Sequence, residues 1–156
     1  MHLYLVQHGR SKSGEVDTER RLTERGRADV EKVAALIKSF KLHIDSIWHS
    51  GKARAAETAD ILTAAVGSDF TILQRPGLAP NDPVDPIRKN LIKVSGELMI
   101  VGHMPFLGKL ASALVVGEES REIVAFQQGG IVCLGCDTND RDQWRVEWMV
   151  VPDLLP

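Results

Sequence analysis

The chain has 156 residues, 44% of them hydrophobic and 26% charged, with a formal net charge of −2. A chain of that length suits one domain and can bury roughly 68–70% of its unfolded surface, so its core needs no disulfide framework. The near-neutral balance argues against nucleic acid or an anionic membrane as partner, and no apolar run approaches the ~18–20 residues of a membrane span.

Residues 3–6 form a short, β-rich apolar run that ends at Gln7-His8-Gly9, which predicts a buried strand entering a loop. The first six residues lack a basic leader and a full apolar signal region, so the expected location is cytoplasmic. A polar stretch over 10–21 follows without periodicity. Val30, Val33, Ala34, Ile37 and Phe40 then recur at three- and four-residue steps, which predicts an amphipathic helix with Thr23 as its N-cap. Residues 44–49 read as the next strand. Ser50 is the expected cap of a helix over about 52–66, with Ala55, Ala59, Leu62 and Val66 facing inward. A third strand is predicted over 70–73, and the Gly- and Pro-rich stretch 75–83 reads as a loop.

Asp85-Pro86 resembles a helix start with an N-cap acceptor and Pro at the first position. Residues 98–101 are a continuous apolar strand ending at Gly102-His103, and Pro105 opens a helix to about 116. Two late strands, near 131–134 and 144–151, finish the chain. Strands alternating with helices predict an α/β layered sandwich with a central mostly parallel sheet flanked by helices, its last strands antiparallel. The expected organisation is a single domain over 1–156.

Cys133 and Cys136 form a Cys-x-x-Cys inside the late apolar run. A zinc site would want a second ligand pair and a redox motif would open a helix, so these read as small buried hydrophobes on opposite faces of a strand. His2, His43 and His49 share no ligand spacing, so neither a metal nor another cofactor is expected. No Gly-x-Gly-x-x-Gly, phosphate-loop or Gly-x-Ser-x-Gly motif occurs.

The two remaining histidines occupy equivalent places. His8 directly follows the first predicted strand, and His103 directly follows the strand 98–101. In open parallel sheets, ligands bind in the crevice beyond the carboxyl ends of the strands. Arg54, in Ser50-Gly51-Lys52-Ala53-Arg54, lies at a strand-to-helix turn on that same edge. Helix N-termini there offer free N–H groups to an anion. Taken alone, Arg54 reads as a solvated first-turn arginine; beside two histidines it reads as an anion ligand.

Four blocks carry a resemblance: Leu5-Val6-Gln7-His8-Gly9, Leu22-Thr23-Glu24-Arg25-Gly26, Ser50-Gly51-Lys52-Ala53-Arg54-Ala55-Ala56-Glu57-Thr58-Ala59 and Val101-Gly102-His103-Met104-Pro105. In order and spacing they resemble the histidine phosphatase superfamily, and most of all its small SixA-type phosphohistidine phosphatases. The resemblance implies His8 as the nucleophile that takes the phosphoryl group, Arg54 as a phosphate clamp and His103 as the second histidine on the transferring oxygens. Gln7, His8, Gly9, Arg54 and His103 are the implied phosphate ligands. The family normally has Arg immediately before the nucleophile, where this chain has Gln7, and Pro where this chain has Gly51. Gln7 keeps a hydrogen-bond donor but removes one charge, and a unit charge ~4 Å away at an effective dielectric of ~20 is worth about 4 kcal/mol. Losing one such donor costs about 10²–10³ in rate. Arg10 or Lys12 could swing in to restore the charge.

An imidazole attacks phosphorus only when neutral, whereas His103 is expected protonated, so a bell-shaped pH profile is expected. Phosphomonoesters need a well-placed acid, for which Asp82 is the candidate, with Asp85 behind it; their other reading is turn formation and N-capping. A phosphoramidate expels its nitrogen without a strong acid. The expected partner is therefore a phosphohistidine-bearing signalling or phosphotransfer protein, with phosphate ion as product. A small-molecule phosphomonoesterase is the second reading. A phosphate- or phosphoprotein-binding module without turnover, marked by Gln7, is the third.

Overall fold

The computed structural model describes residues 1–156. In chain order its elements are β1 (His2–Gln7), α1 (Glu24–Ser39), β2 (Ser46–His49), α2 (Ala53–Thr63), β3 (Thr71–Gln74), α3 (Asp85–Leu91), β4 (Leu98–Gly102), α4 (Phe106–Val116), β5 (Ile131–Asp137) and β6 (Asp140–Val150), followed by a 3-10 turn at Pro152–Leu154. All six strands join one sheet in the order β3-β2-β4-β1-β5-β6. The first four in that order run parallel, and β5 and β6 are antiparallel additions.

Strand side chains alternate between faces, so the sheet separates two apolar layers. Leu3, Leu5, Leu98, Ile100, Val132 and Leu134 pack with Ile87 and Leu91 of α3 and Leu107 and Leu110 of α4. Tyr4, Val6, Met99, Val101, Ile131 and Cys133 pack against Val30, Val33 and Ile37 of α1 and Ala55, Ala59 and Leu62 of α2. Cys133 and Cys136 fall in different layers, both buried with free thiols. Burial pushes the Cys133 thiol up to about 12 and also raises Cys136, so neither is poised as a nucleophile. The predicted third strand does form, but all of β3 is exposed because it is the sheet's outer edge. No helix is long and apolar enough to cross a membrane.

The helix starts match the sequence unevenly. Thr23 caps α1 by accepting the Gly26 N–H at 2.9 Å, a contact that contributes about 1 kcal/mol. Gly26 also lies against the backbone of Arg10 with no room for a Cβ, which fastens the segment after β1 to α1. Ser50 does not cap α2. Lys52 holds the N-cap position without a side-chain bond, and the helix ends at Thr63 rather than near residue 66. Nor is Asp85 a cap: it is the first residue of α3, where it pairs with Arg88 and Lys89 one turn on, and Val84 takes the cap position.

Candidate active site

Register creates the site. β1 and β4 are parallel neighbours with Gln7 opposite Gly102, so the residues that follow, His8 and His103, leave the sheet side by side. The His8 N–H donates to the Gly102 carbonyl at 3.0 Å, extending the ladder one step beyond the strands. The two imidazole centroids are 5.0 Å apart. β2 flanks β4 on its other side, which brings Ser50 and the first turn of α2 to the same edge. There the Arg54 Nε donates to His8 Nε2 at 3.3 Å, and Ser50 Oγ lies 2.6 Å from His103 Nε2. His8, Arg54 and His103 are 7%, 9% and 1% exposed, so three polar side chains converge in a nearly dry corner of the fold.

Each ring has a defined polarity. His8 Nδ1 is 2.7 Å from the Gly9 carbonyl, an acceptor only, so Nδ1 carries the hydrogen and the neutral ring keeps its lone pair on Nε2. Burial is the main force lowering the His8 pKa, the Gly9 carbonyl opposes it, and the Arg54 and Arg20 charges add to the lowering. His8 is thus neutral at pH 7. His103 is pushed down to about 3, first by burial and then by His8, Arg54, Lys52 and Arg20. This corrects the expectation of a protonated His103: in the free protein it is a neutral ring, because burial strips water from its charged form and the charges around it are cations.

Residues 3–79 match the family model described as Histidine phosphatase superfamily (branch 1). The chain belongs to the histidine phosphatase superfamily. It is 32% identical over 143 residues to an uncharacterized protein of Picosynechococcus sp., covering 86% of this chain and 84% of that protein. It also resembles the solved structure of the protein histidine phosphatase SixA complexed with tungstate, at a TM-score of 0.86 and 21% identity over 99% of each chain. The alpha-ribazole phosphatase of Shigella flexneri has the same fold, with a TM-score of 0.73 and 17% identity over 94% of this chain and 95% of that one.

His8 and Arg54 lie within the part that matches the histidine phosphatase model, whereas His103 lies beyond it and joins them through the β1–β4 register. Gly9, expected among the phosphate ligands, gives its N–H to Thr58 Oγ1 at 3.0 Å and acts on the site through its carbonyl. Gln7 bonds to none of the three, and its Oε1 is buried without a partner. Asp82 accepts the Ala79 N–H at 2.9 Å, closing a turn, and no hydrogen bond or ion pair links it to the histidines. Asp85 is held by Arg88 and Lys89. Arg10 is not free to restore the missing charge, since it faces Asp29 at 3.7 Å and Asp153 at 3.9 Å.

Three contributors escaped the sequence reading. Thr58 donates to the Arg54 carbonyl at 2.7 Å while accepting from Gly9, and so ties α2 to the loop that carries His8. Its place four residues after Arg54, one helical turn on, is the signal that could have revealed it. Ser50, read as a cap, is instead the hydrogen-bond partner of His103. Arg20, in an aperiodic loop, carried no signal at all.

The depressed His103 pKa has a consequence for stability. A group whose folded pKa lies below its unfolded value of 6.5 binds protons preferentially in the unfolded chain. Its contribution is therefore intact above pH 6.5 and is lost progressively as pH falls toward about 3, a swing on the order of 4–5 kcal/mol at most. His103→Gln should flatten the decline of urea-unfolding stability between pH 6.5 and 4. An unchanged decline would show that His103 titrates like a solvated histidine.

Proposed function

We propose that residues 1–156 form a single catalytic domain, a phosphatase that works through a phosphohistidine on His8 and acts most readily on phosphohistidine carried by another protein. The observation that carries this reading is the neutral His8 ring, whose Nδ1–H is fixed by the Gly9 carbonyl and whose Nε2 lone pair has the Arg54 Nε–H as its hydrogen-bond partner. Attack by that lone pair on phosphorus forms the P–Nε2 bond as the P–N bond to the substrate's imidazole breaks. The departing nitrogen takes a proton from solvent or His103. Water then attacks phosphorus, the P–Nε2 bond breaks toward His8, and inorganic phosphate leaves.

The Arg54 guanidinium, His103 and the unpaired N–H groups of Ala53 and Arg54 at the start of α2 are the groups available to the equatorial oxygens, where charge stabilisation carries most of phosphoryl-transfer catalysis. A dianionic oxyanion between the rings reverses the field at His103 and lets it take up a proton. Through its carbonyl bond to Nδ1–H, Gly9 stabilises the positive charge that develops on the attacking ring.

No carboxylic acid bonds to either histidine, which favours a leaving nitrogen over a leaving alkoxide. A cytoplasmic location goes with this reading. The test compares hydrolysis of a phosphohistidine-bearing protein with that of p-nitrophenyl phosphate. We expect the phosphohistidine to be hydrolysed at least tenfold faster. The reverse preference would favour a small-molecule phosphomonoesterase, and phosphate binding without turnover of either would favour a binding module.

A further inference from the structure

We propose that Arg20 supplies the second guanidinium of the phosphate pocket, replacing from the loop after β1 the charge that position 7 lacks. The inference rests on the phosphatase reading above and adds a substrate-binding residue to it. An open cleft of about 480 Å³ is walled by Glu19 and Arg20 of the loop and by Gly51, Lys52 and Arg54, and it reaches the site through Arg54, whose Nε bonds His8. Three cations therefore share its wall, and none of them is paired with a carboxylate.

The loop's own bonding accounts for that imbalance. Asp17 and Glu19, the carboxylates nearest in sequence, both turn to Arg21, at 3.0 and 3.5 Å. The side chain of Arg20 is left with one long contact, from its Nε to the Lys12 carbonyl at 3.4 Å. Its backbone is in the left-handed region at φ 52°, held there by bonds from the Arg20 N–H to the Asp17 carbonyl and from the Arg21 N–H to Asp17 Oδ2. The other non-glycine residue in that region, Lys41, simply follows the end of α1, a common place for such a conformation. Arg20 ends no helix. A strained residue that presents an unneutralised charge to a cleft is a mark of a binding site.

The loop is also anchored to the site. The Ser11–Leu22 bridge closes its base, and the Leu22 N–H donates to Glu57 on α2 at 2.7 Å. Its charge reaches the reacting groups, since Arg20 is among the causes that lower the pKa of His8, Arg54 and His103 alike. An oxyanion held by Arg54 would thus find a second cation across the cleft, approached from the loop rather than from the end of β1.

The test measures tungstate affinity by calorimetry for the wild-type chain, Arg20→Gln, Arg20→Lys, and Gln7→Arg combined with Arg20→Gln, with Arg10→Gln and Lys12→Gln as comparisons. We expect Arg20→Gln to weaken binding roughly 10- to 100-fold. Arg20→Lys should recover part of the loss, and Gln7→Arg should restore at least tenfold in the Arg20→Gln background. The comparison variants should stay within about twofold of wild type. NMR titration of the free protein should also show the His8 pKa rising in Arg20→Gln and staying depressed in Arg20→Lys, which keeps the charge. Wild-type binding with Arg20→Gln within twofold of it overturns this assignment and leaves the phosphatase reading standing. A wild-type chain that binds no tungstate overturns both.

Discussion

His8→Ala should carry no covalent phosphate after incubation with a radiolabelled phosphohistidine protein, and its turnover should fall by ~10⁴-fold or more, as for loss of a catalytic nucleophile. The wild-type chain, quenched in base where phosphohistidine survives, should carry one label. The other candidates are less suited: His103 lacks the carbonyl that fixes its partner ring, the Ser50 hydroxyl lies away from His8 against His103, and both cysteines are buried inside the apolar layers. The variant should still bind tungstate, because Arg54 and the first turn of α2 remain. Labelled His8→Ala protein would place the nucleophile elsewhere and end the account of catalysis given above.

Arg54→Ala should cost roughly 10²–10³ in kcat/KM, the usual effect of removing one donor aimed at developing charge. The same change should raise the pKa of His8, since the Arg54 charge is one of the causes holding it down. The acid limb of kcat/KM should accordingly lie below pH 6.5 in the wild-type chain and move upward in the variant. Because His103 is already neutral in the free protein, that profile should show no basic limb from His103 between pH 6.5 and 9. Arg54→Lys should recover only part of the loss, since an ammonium offers a charge without the planar fork of donors. An Arg54→Ala enzyme within threefold of wild type would show that the guanidinium does not touch the transferring oxygens.

What could be read from the sequence was local. The apolar runs before His8 and His103, each stopped by a polar residue, announced strands with histidines at their carboxyl ends. Thr23 announced its helix because its hydroxyl stands three residues before the N–H it accepts. The pairing of β1 with β4 was out of reach of any periodicity, because ninety residues separate the strands and hydrogen-bond partners are chosen in three dimensions. Ser50 looked like a cap because serine before a helix generally is one, but it stands two residues too early and meets His103 instead. The charge state of His103 needed its burial, which no motif reports. Arg20 was the least accessible, because its placement depends on Asp17 turning away to Arg21 and not on anything about position 20 itself.

The pairing of Gln7 with Gly102 joins folding and chemistry in a way that isolated side chains would not. A slip of one residue between those two strands would turn His8 toward the opposite layer and dismantle the pocket while leaving the composition of the core nearly intact. Drift at apolar positions of β1 and β4 is consequently policed twice, once by packing and once by turnover. A partly assembled chain lacking that single ladder has no weakened version of the activity to fall back on.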